Sequence, residues 1–344
     1  MERFCRVVQR IAAAALAVVC GEALCGGAQA DDYKAEYALS TVVSDNFPFG
    51  FAGKRWAELI AEKTQGRIVV RTYPGVSLVG GDQTKEFTAL RQGIIDLAVG
   101  STINWSPQVN ELNLFSMPFL IPDHRAFDAL IQGEVGTALF AALEAKDVIP
   151  LAWGENGFRE ISNSKRPISA PQDMINLKIR VVASPLFVDT MKALGAEPVQ
   201  LSWADLKPAV AAGLVDGQEN PLAIFQAAKL HDSNQKYLTL WGYVADPLIF
   251  VVNRQVWESW SEEDRSLVRE AAIQAAAEEI AMVRKGDDAH LRDIRAQGVS
   301  VTTLSPQQKT AFQQATCDVY TKWAKSIGPG LIAKAEAAVA HARD

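Results

Sequence analysis

With 344 residues and 40 acidic against 34 basic side chains, the chain carries a formal charge of −6. That balance gives it no electrostatic reason to coat nucleic acid or an anionic lipid surface. The length exceeds a comfortable single core, so two domains are expected, and with no low-complexity linker between them the chain should cross from one to the other more than once.

The first thirty residues read as a targeting segment. Arg3, Arg6 and Arg10 precede an apolar run from Ile11 to Val19, and Ala28-Gln29-Ala30 forms a cleavage site before Asp31. The apolar run is too short to span a bilayer comfortably, and neither Cys20 nor Cys25 follows the small residue of a lipoprotein signal. Cleavage after Ala30 and release are therefore expected, with an uncleaved N-terminal anchor as the alternative. Cleavage removes three of the four cysteines and leaves Cys317, so no intramolecular disulfide can form.

Tyr37 to Val43 reads as a strand ending in Ser44-Asp45-Asn46, and a helix follows from about Pro48 to Thr64. Arg67 to Tyr73 is a second strand. Asp82 caps a helix running to Gln92, and Ile94 to Val99 is a third strand. This alternation predicts a parallel α/β sheet, in which ligands sit beyond the carboxyl ends of the strands. The residues placed there are Asn46 and Phe49, Gly100 through Trp105, and Gln83 and Glu86 at the head of the early helix. The glycines from Gly75 to Gly81 do not make a phosphate loop, because no Gly-Lys-Ser/Thr follows and Asp82 carries the wrong charge.

Asn110 to Asp147 is helical and apolar, and Val148 to Trp153 is a strand leading into Gly154-Glu155-Asn156-Gly157-Phe158-Arg159-Glu160. The two glycines let the chain turn between domains. Arg159 then faces either the cleft or a surface partner, Glu155 or Glu160. Lys178-Ile179-Arg180-Val181-Val182 is a short strand with an arginine inside it. A buried guanidinium needs an anionic partner. The run contains no acid, so that partner comes from elsewhere in the fold or from a ligand. Asp216-Gly217-Gln218-Glu219-Asn220-Pro221 reads as a polar turn.

Strands follow at Tyr237–Trp241 and Pro247–Asn253. Ser261-Glu262-Glu263-Asp264 then caps the longest helical pattern, which ends near Gln297 and shows Leu267, Ala271, Ala275 and Met282 on one side. Such a helix is roughly 50 Å long, enough to lie across both domains as a spine, and it is expected to bend near Gly286. Ser305-Pro306 opens the next helix, and Leu331 to Ala342 forms the last.

Catalytic signatures are missing. There is no G-x-S-x-G elbow, the four histidines share no H-x-x-x-H spacing, Cys317 lies inside a helical pattern, and no dinucleotide fingerprint follows the first strand. Binding without turnover is the economical reading, with no catalytic residue, cofactor or metal. A carboxylate would need a bidentate arginine fork and an amide such as Asn220. Phe49, Trp105 and Trp241 are candidates for the apolar walls, with plain core packing as the alternative for each.

The K-I-R-V strand and the D-G-Q-E-N-P segment together resemble the ligand-binding signature of the solute-binding proteins of tripartite ATP-independent periplasmic (TRAP) transporters, the DctP-type family. The Gly154–Arg159 segment resembles a second landmark of that family. The resemblance covers essentially the whole chain after the leader. It implies that Arg180 pairs with a substrate carboxylate and that Asn220 and Arg159 reach the same site. It implies a two-lobed periplasmic-binding-protein-like α/β fold of class II type, with crossing hinge strands and a long spine helix. The expected division is 1–30 signal peptide, 31–156 with 246–285 in lobe I, and 157–245 with 286–344 in lobe II. The function implied is a monomeric periplasmic receptor that closes over a small organic acid and delivers it to membrane permease subunits, with no nucleic-acid partner. A ligand-presenting receptor for a sensor kinase is one alternative, and a secreted lyase or hydrolase another. Where a sialic-acid-binding branch resembles R-x-P-x-N, this chain reads Arg180-Val181-Val182-Ala183-Ser184, and Trp241-Gly242-Tyr243 replaces a Gly-His pair. Both departures favour a small carboxylate, whether a dicarboxylate, a hydroxy acid or an aromatic acid.

Overall fold

A computed structural model describes residues 33–342; the expected signal peptide and its cleavage site lie outside the described residues. The strands are β1 (Tyr37–Thr41), β2 (Val70–Tyr73), β3 (Leu97–Ser101), β4 (Val148–Phe158), β5 (Glu160–Asn163), β6 (Lys178–Val181), β7 (Glu197–Gln200), β8 (Gly217–Asn220), β9 (Tyr237–Leu240), β10 (Ala245–Asn253) and β11 (Ser300–Thr303). They form a five-stranded sheet in the order β2-β1-β3-β10-β4 and a six-stranded sheet in the order β11-β9-β5-β8-β6-β7. Helices cover both, so the two-lobed α/β architecture is as expected.

Each sheet is parallel except for one strand. β10 runs against β3 and β4 in the first sheet, and β5 runs against β8 and β9 in the second. In both cases the reversed strand is the one that has just arrived from the other sheet. The chain leaves the first sheet at the end of β4 and enters the second as β5, with Arg159 alone between them. It returns between β9 and β10. A register shift at Asp246/Pro247 breaks the β10–β4 ladder close to this return. Proline cannot donate to a ladder, so a bulge is where a strand tolerates it.

The Asp216–Pro221 stretch is not a turn. Its centre is β8, a buried strand between β5 and β6. The polar residues misled because polarity usually marks solvent. Here each side chain has a buried partner instead: Gln218 donates to Ser162 at 2.8 Å, Glu219 accepts from Tyr243 at 3.0 Å, and Asn220 donates to Gln218. Gly217 is required by close approach, since a Cβ there would lie 2.2 Å from the Ser162 carbonyl oxygen.

The spine helix runs from Glu262 to Ala296, 35 residues, and continues through Gly286 as unbroken helix. The Ser261 hydroxyl accepts from the Asp264 amide at 3.1 Å, and Glu262, Glu263 and Asp264 complement the N-terminal dipole. Its buried face is Val268, Ala271, Ala272, Ala275 and Ala276, packed with the first sheet. Met282, expected inward, is 39 % exposed. Farther along, Ile294 joins Phe225, Leu230 and Leu238 of the second lobe, so one rigid rod is anchored in both. The last helix, Pro329–His341, buries Ile332, Ala335 and Val339 in the same core as Phe127, Leu130 and Leu139. The segment 286–344, expected in lobe II as a whole, is thus shared between the two cores.

Candidate functional site

A cavity of about 380 Å³, mouth included, opens where the chain crosses between the sheets. Arg180 reaches it from β6, a strand buried at Ile179, Arg180 and Val181. The side chain is 1 % exposed. Nε donates to the Leu201 carbonyl at 3.0 Å, while Nη2 has no hydrogen-bond partner. Burial pulls its pKa down to about 10; the field of Glu219 offsets this only in part, and neighbouring Arg159 adds to the depression. It remains a cation at neutral pH. This is a buried charge with donor capacity left over, which folding alone would not favour.

Arg159 is the opposite case. It forms an ion pair with Glu219 through Nε, Nη2 reaches Glu219 Oε1 at 2.8 Å and its carbonyl at 2.7 Å, and Nη1 reaches Asp246 at 2.7 Å. Burial would lower its pKa, yet the two carboxylates outweigh that and hold it firmly charged. Neither Glu155 nor Glu160, the surface partners considered from sequence, is involved. Asp246 also accepts from Ser101 Oγ at 2.5 Å and Asn156 Nδ2 at 2.7 Å, so strands β3, β4 and β10 meet on one carboxylate.

Five of the expected site residues line the cavity together: Arg180, Arg159, Asn220, Gln83 and Phe49. Gln83 is committed to protein partners, donating to Asn104 at 2.9 Å and accepting from the Trp203 amide at 2.8 Å. The second bond spans the cleft, because Gln83 belongs to the first lobe and Trp203 to the second. Phe47 and Trp203 reinforce it with an edge contact at 5.8 Å.

Trp105, Glu86 and Trp241 do not line the cavity. Trp105 is fully buried against Gly100, where a Cβ would lie 2.0 Å from its ring, and its indole donates to Glu86 at 3.1 Å. Glu86 is itself fully buried and also accepts from Ser40 at 2.7 Å. Burial raises its pKa to about 7 against the opposing effect of these two hydrogen bonds. Trp241 donates its indole N–H to the Arg159 carbonyl at 3.1 Å and packs on Tyr243, clamping the crossing from behind.

Sequence reasoning missed Asp246, Trp203 and the role of Asn156, and most of the apolar lining: Val42, Val43, Val182 and Ile224; Ser101, Ile103 and Asn104 lie within the Gly100–Trp105 stretch it placed there. Asp246 carried the same signal as Arg180, a charge at the head of the apolar run Pro247–Asn253. Asn156 lay within the glycine-flanked segment already selected for Arg159. Trp203 carried no signal, because its place in the wall depends on how the lobes meet.

The chain is similar to a family of known proteins. The profile of the bacterial extracellular solute-binding proteins, family 7, matches residues 39–326. A solute-binding protein of Verminephrobacter eiseniae is 31 % identical over 290 residues, 84 % of this chain and 85 % of its own. A TRAP periplasmic solute-binding protein of Ralstonia eutropha, solved with (S)-2-acetolactate bound, superposes with a TM-score of 0.89 at 58 % identity, covering 90 % of this chain and all of that one. Another from Sulfurospirillum deleyianum, solved with succinate, gives 0.82 at 29 % identity over 88 % of this chain and 98 % of that one.

Two outcomes follow from the site's electrostatics. Arg159→Ala leaves Glu219 and Asp246 buried without their cation and should cost about 3–5 kcal/mol of stability, measured by urea unfolding; a loss below about 1 kcal/mol would contradict the buried-trio account. Glu86, with its folded pKa above the unfolded 4.5, is protonated in the fold where the unfolded chain is ionised. Its contribution is therefore complete below about pH 4.5 and is lost as the pH rises to about 7. Glu86→Gln, which still accepts from Trp105 and turns its amide N–H towards the Ser40 oxygen in place of the bond Ser40 now donates, should flatten that fall by roughly 3 kcal/mol. Superimposable stability–pH profiles for variant and wild type would count against a buried neutral Glu86.

Proposed function

The chain belongs to family 7 of the bacterial extracellular solute-binding proteins, and on that premise we propose that Arg180 anchors the carboxylate of a short organic acid in the cavity between the lobes. TRAP-type binding of small organic acids is the function of the family to which it belongs. One observation carries the assignment to Arg180: its guanidinium is buried in the cavity wall with Nη2 unpartnered. A carboxylate arriving there gains a charge-assisted hydrogen bond and restores the partner that burial demands. Asn220 offers a neighbouring amide, and Arg159 holds the crossing strands in place rather than meeting the ligand as a free cation. The cavity's size and its walls of Val42, Phe49, Ile103, Val182 and Ile224 suit a compact, partly apolar acid of the acetolactate kind bound by the 58 % identical relative.

Delivery to permease subunits of a TRAP transporter, after export and cleavage behind Ala30, completes the reading. Ligand capture is coupled to movement of the lobes. The carboxylate binds the β6 side, and the remainder of the acid touches Phe49 and Ile103 of the other lobe, so the closed form alone makes every contact. The Gln83–Trp203 bond and the Phe47–Trp203 edge contact are closed-form contacts available to secure it.

Arg180→Ala should fold and lose binding of short acids by roughly 2–5 kcal/mol, as read by calorimetry, and Arg180→Lys should recover little because an ammonium lacks the planar fork. Wild-type affinity in a folded Arg180→Ala protein would remove Arg180 from the role. Small-angle scattering should show the radius of gyration falling on saturation with ligand, whereas an unchanged value would rule out closure.

A further inference from the structure

Asn156 lines the cavity at 2 % exposure and has one unsatisfied atom. Its Nδ2 donates to Asp246 Oδ2 at 2.7 Å. A carboxylate accepts and never donates when ionised, so Asp246 determines which end of the amide is nitrogen. The other end, Oδ1, is then an acceptor, and it is buried without a partner. Of the buried side-chain atoms lacking a partner among the described residues, those that line this cavity are Arg180 Nη2 and Asn156 Oδ1. One is a charged donor and the other a neutral acceptor. A ligand that satisfies both brings a carboxylate and a separate hydrogen-bond donor.

Charge limits the ligand further. The two cations here, Arg159 and Arg180, stand against two carboxylates, Glu219 and Asp246. Arg159 is already bonded to both acids. A monoanion uses the donor capacity that Arg180 has left. A second carboxylate would find no free cation and would lie near Asp246, and burying it unpaired is costly.

We infer that Asn156 reads a hydroxyl group on the ligand, so the site selects hydroxy monocarboxylates over their deoxy and dicarboxylate counterparts. This rests on the reading of Arg180 as the carboxylate anchor and adds to it a specificity-determining residue on the opposite lobe. The hydroxyl donates to Asn156 Oδ1 while the carboxylate accepts from Arg180, and the aliphatic remainder packs on Val42, Phe49 and Ile224. A keto oxygen in the hydroxyl's place would set acceptor against acceptor.

Calorimetry on the mature chain with three matched acids tests it. The set is 2-hydroxyisobutyrate, isobutyrate without the hydroxyl, and 2-methylmalate with a second carboxylate on one methyl. The wild type should bind 2-hydroxyisobutyrate, with isobutyrate weaker by roughly tenfold or more for a buried acceptor left empty, and 2-methylmalate also weaker. In Asn156→Ala the first two should converge, whereas Arg180→Ala should weaken both and keep their ratio. Equal wild-type affinity for isobutyrate and 2-hydroxyisobutyrate overturns the role of Asn156 and leaves Arg180 standing. Preference for 2-methylmalate overturns the single-carboxylate limit. A wild type that takes none of the three overturns the inference outright, and insensitivity to Arg180→Ala overturns the reading beneath it. Should Asn156→Ala fail to fold, the wild-type series decides alone.

Discussion

A buried guanidinium with an unused N–H is the constraint around which this structure is organised. Arg180 is held by one backbone carbonyl and otherwise faces the cavity, while Arg159, in the same wall, has its charge met by Glu219 and Asp246. The contrast separates two roles that the residue type alone cannot. A saturated buried ion pair locks strands together, and removing one member leaves the other stranded. An unsaturated one stores binding capacity, because a ligand replaces a missing partner rather than competing with one already there.

The architecture delivers these charges to one place by crossing twice. β4 passes into β5 through Arg159, and β9 returns into β10 just before Asp246, so the salt link joins both crossings. Trp241 and Glu160 support it from behind: the Glu160 carboxylate accepts from the Trp241 and Gly242 amides at 2.6 and 2.9 Å, and burial raises its pKa to about 8. The spine helix is rooted in the core of each lobe, so one continuous rod ties the two together. Polar chemistry is thus concentrated where the lobes exchange strands, and apolar packing is left to the lobes themselves.

Much of this was legible in the sequence, and the misses share a cause. The expense of an arginine within Ile179–Val182 marks Arg180 as a buried charge in want of a partner, which is how it lies, and the Ser261 cap and long helical period place the spine to within a residue or two at each end. The polar Asp216–Pro221 stretch reads as a turn because the burial of its centre depends on partners from β5 and from the crossing, tens of residues away in sequence. Trp105 and Trp241 were assigned to the cavity because aromatics favour both cores and binding walls; only the tertiary fold shows that their indoles face Glu86 and the Arg159 carbonyl. Asp246 and Asn156 were missed although one was a charge beside an apolar run and the other lay between two glycines. Both matter through the hydrogen bonds that bring Ser101, Asn156 and Arg159 together on Asp246, which no local pattern encodes.

The most direct test of the central claim is a crystal structure of the protein with a bound short hydroxy acid. The account predicts a ligand carboxylate oxygen within hydrogen-bond distance of Arg180 Nη2, with Nε still on the Leu201 carbonyl and Arg159 still on Glu219 and Asp246. A carboxylate seated elsewhere, with Nη2 of Arg180 left unpartnered, would contradict it.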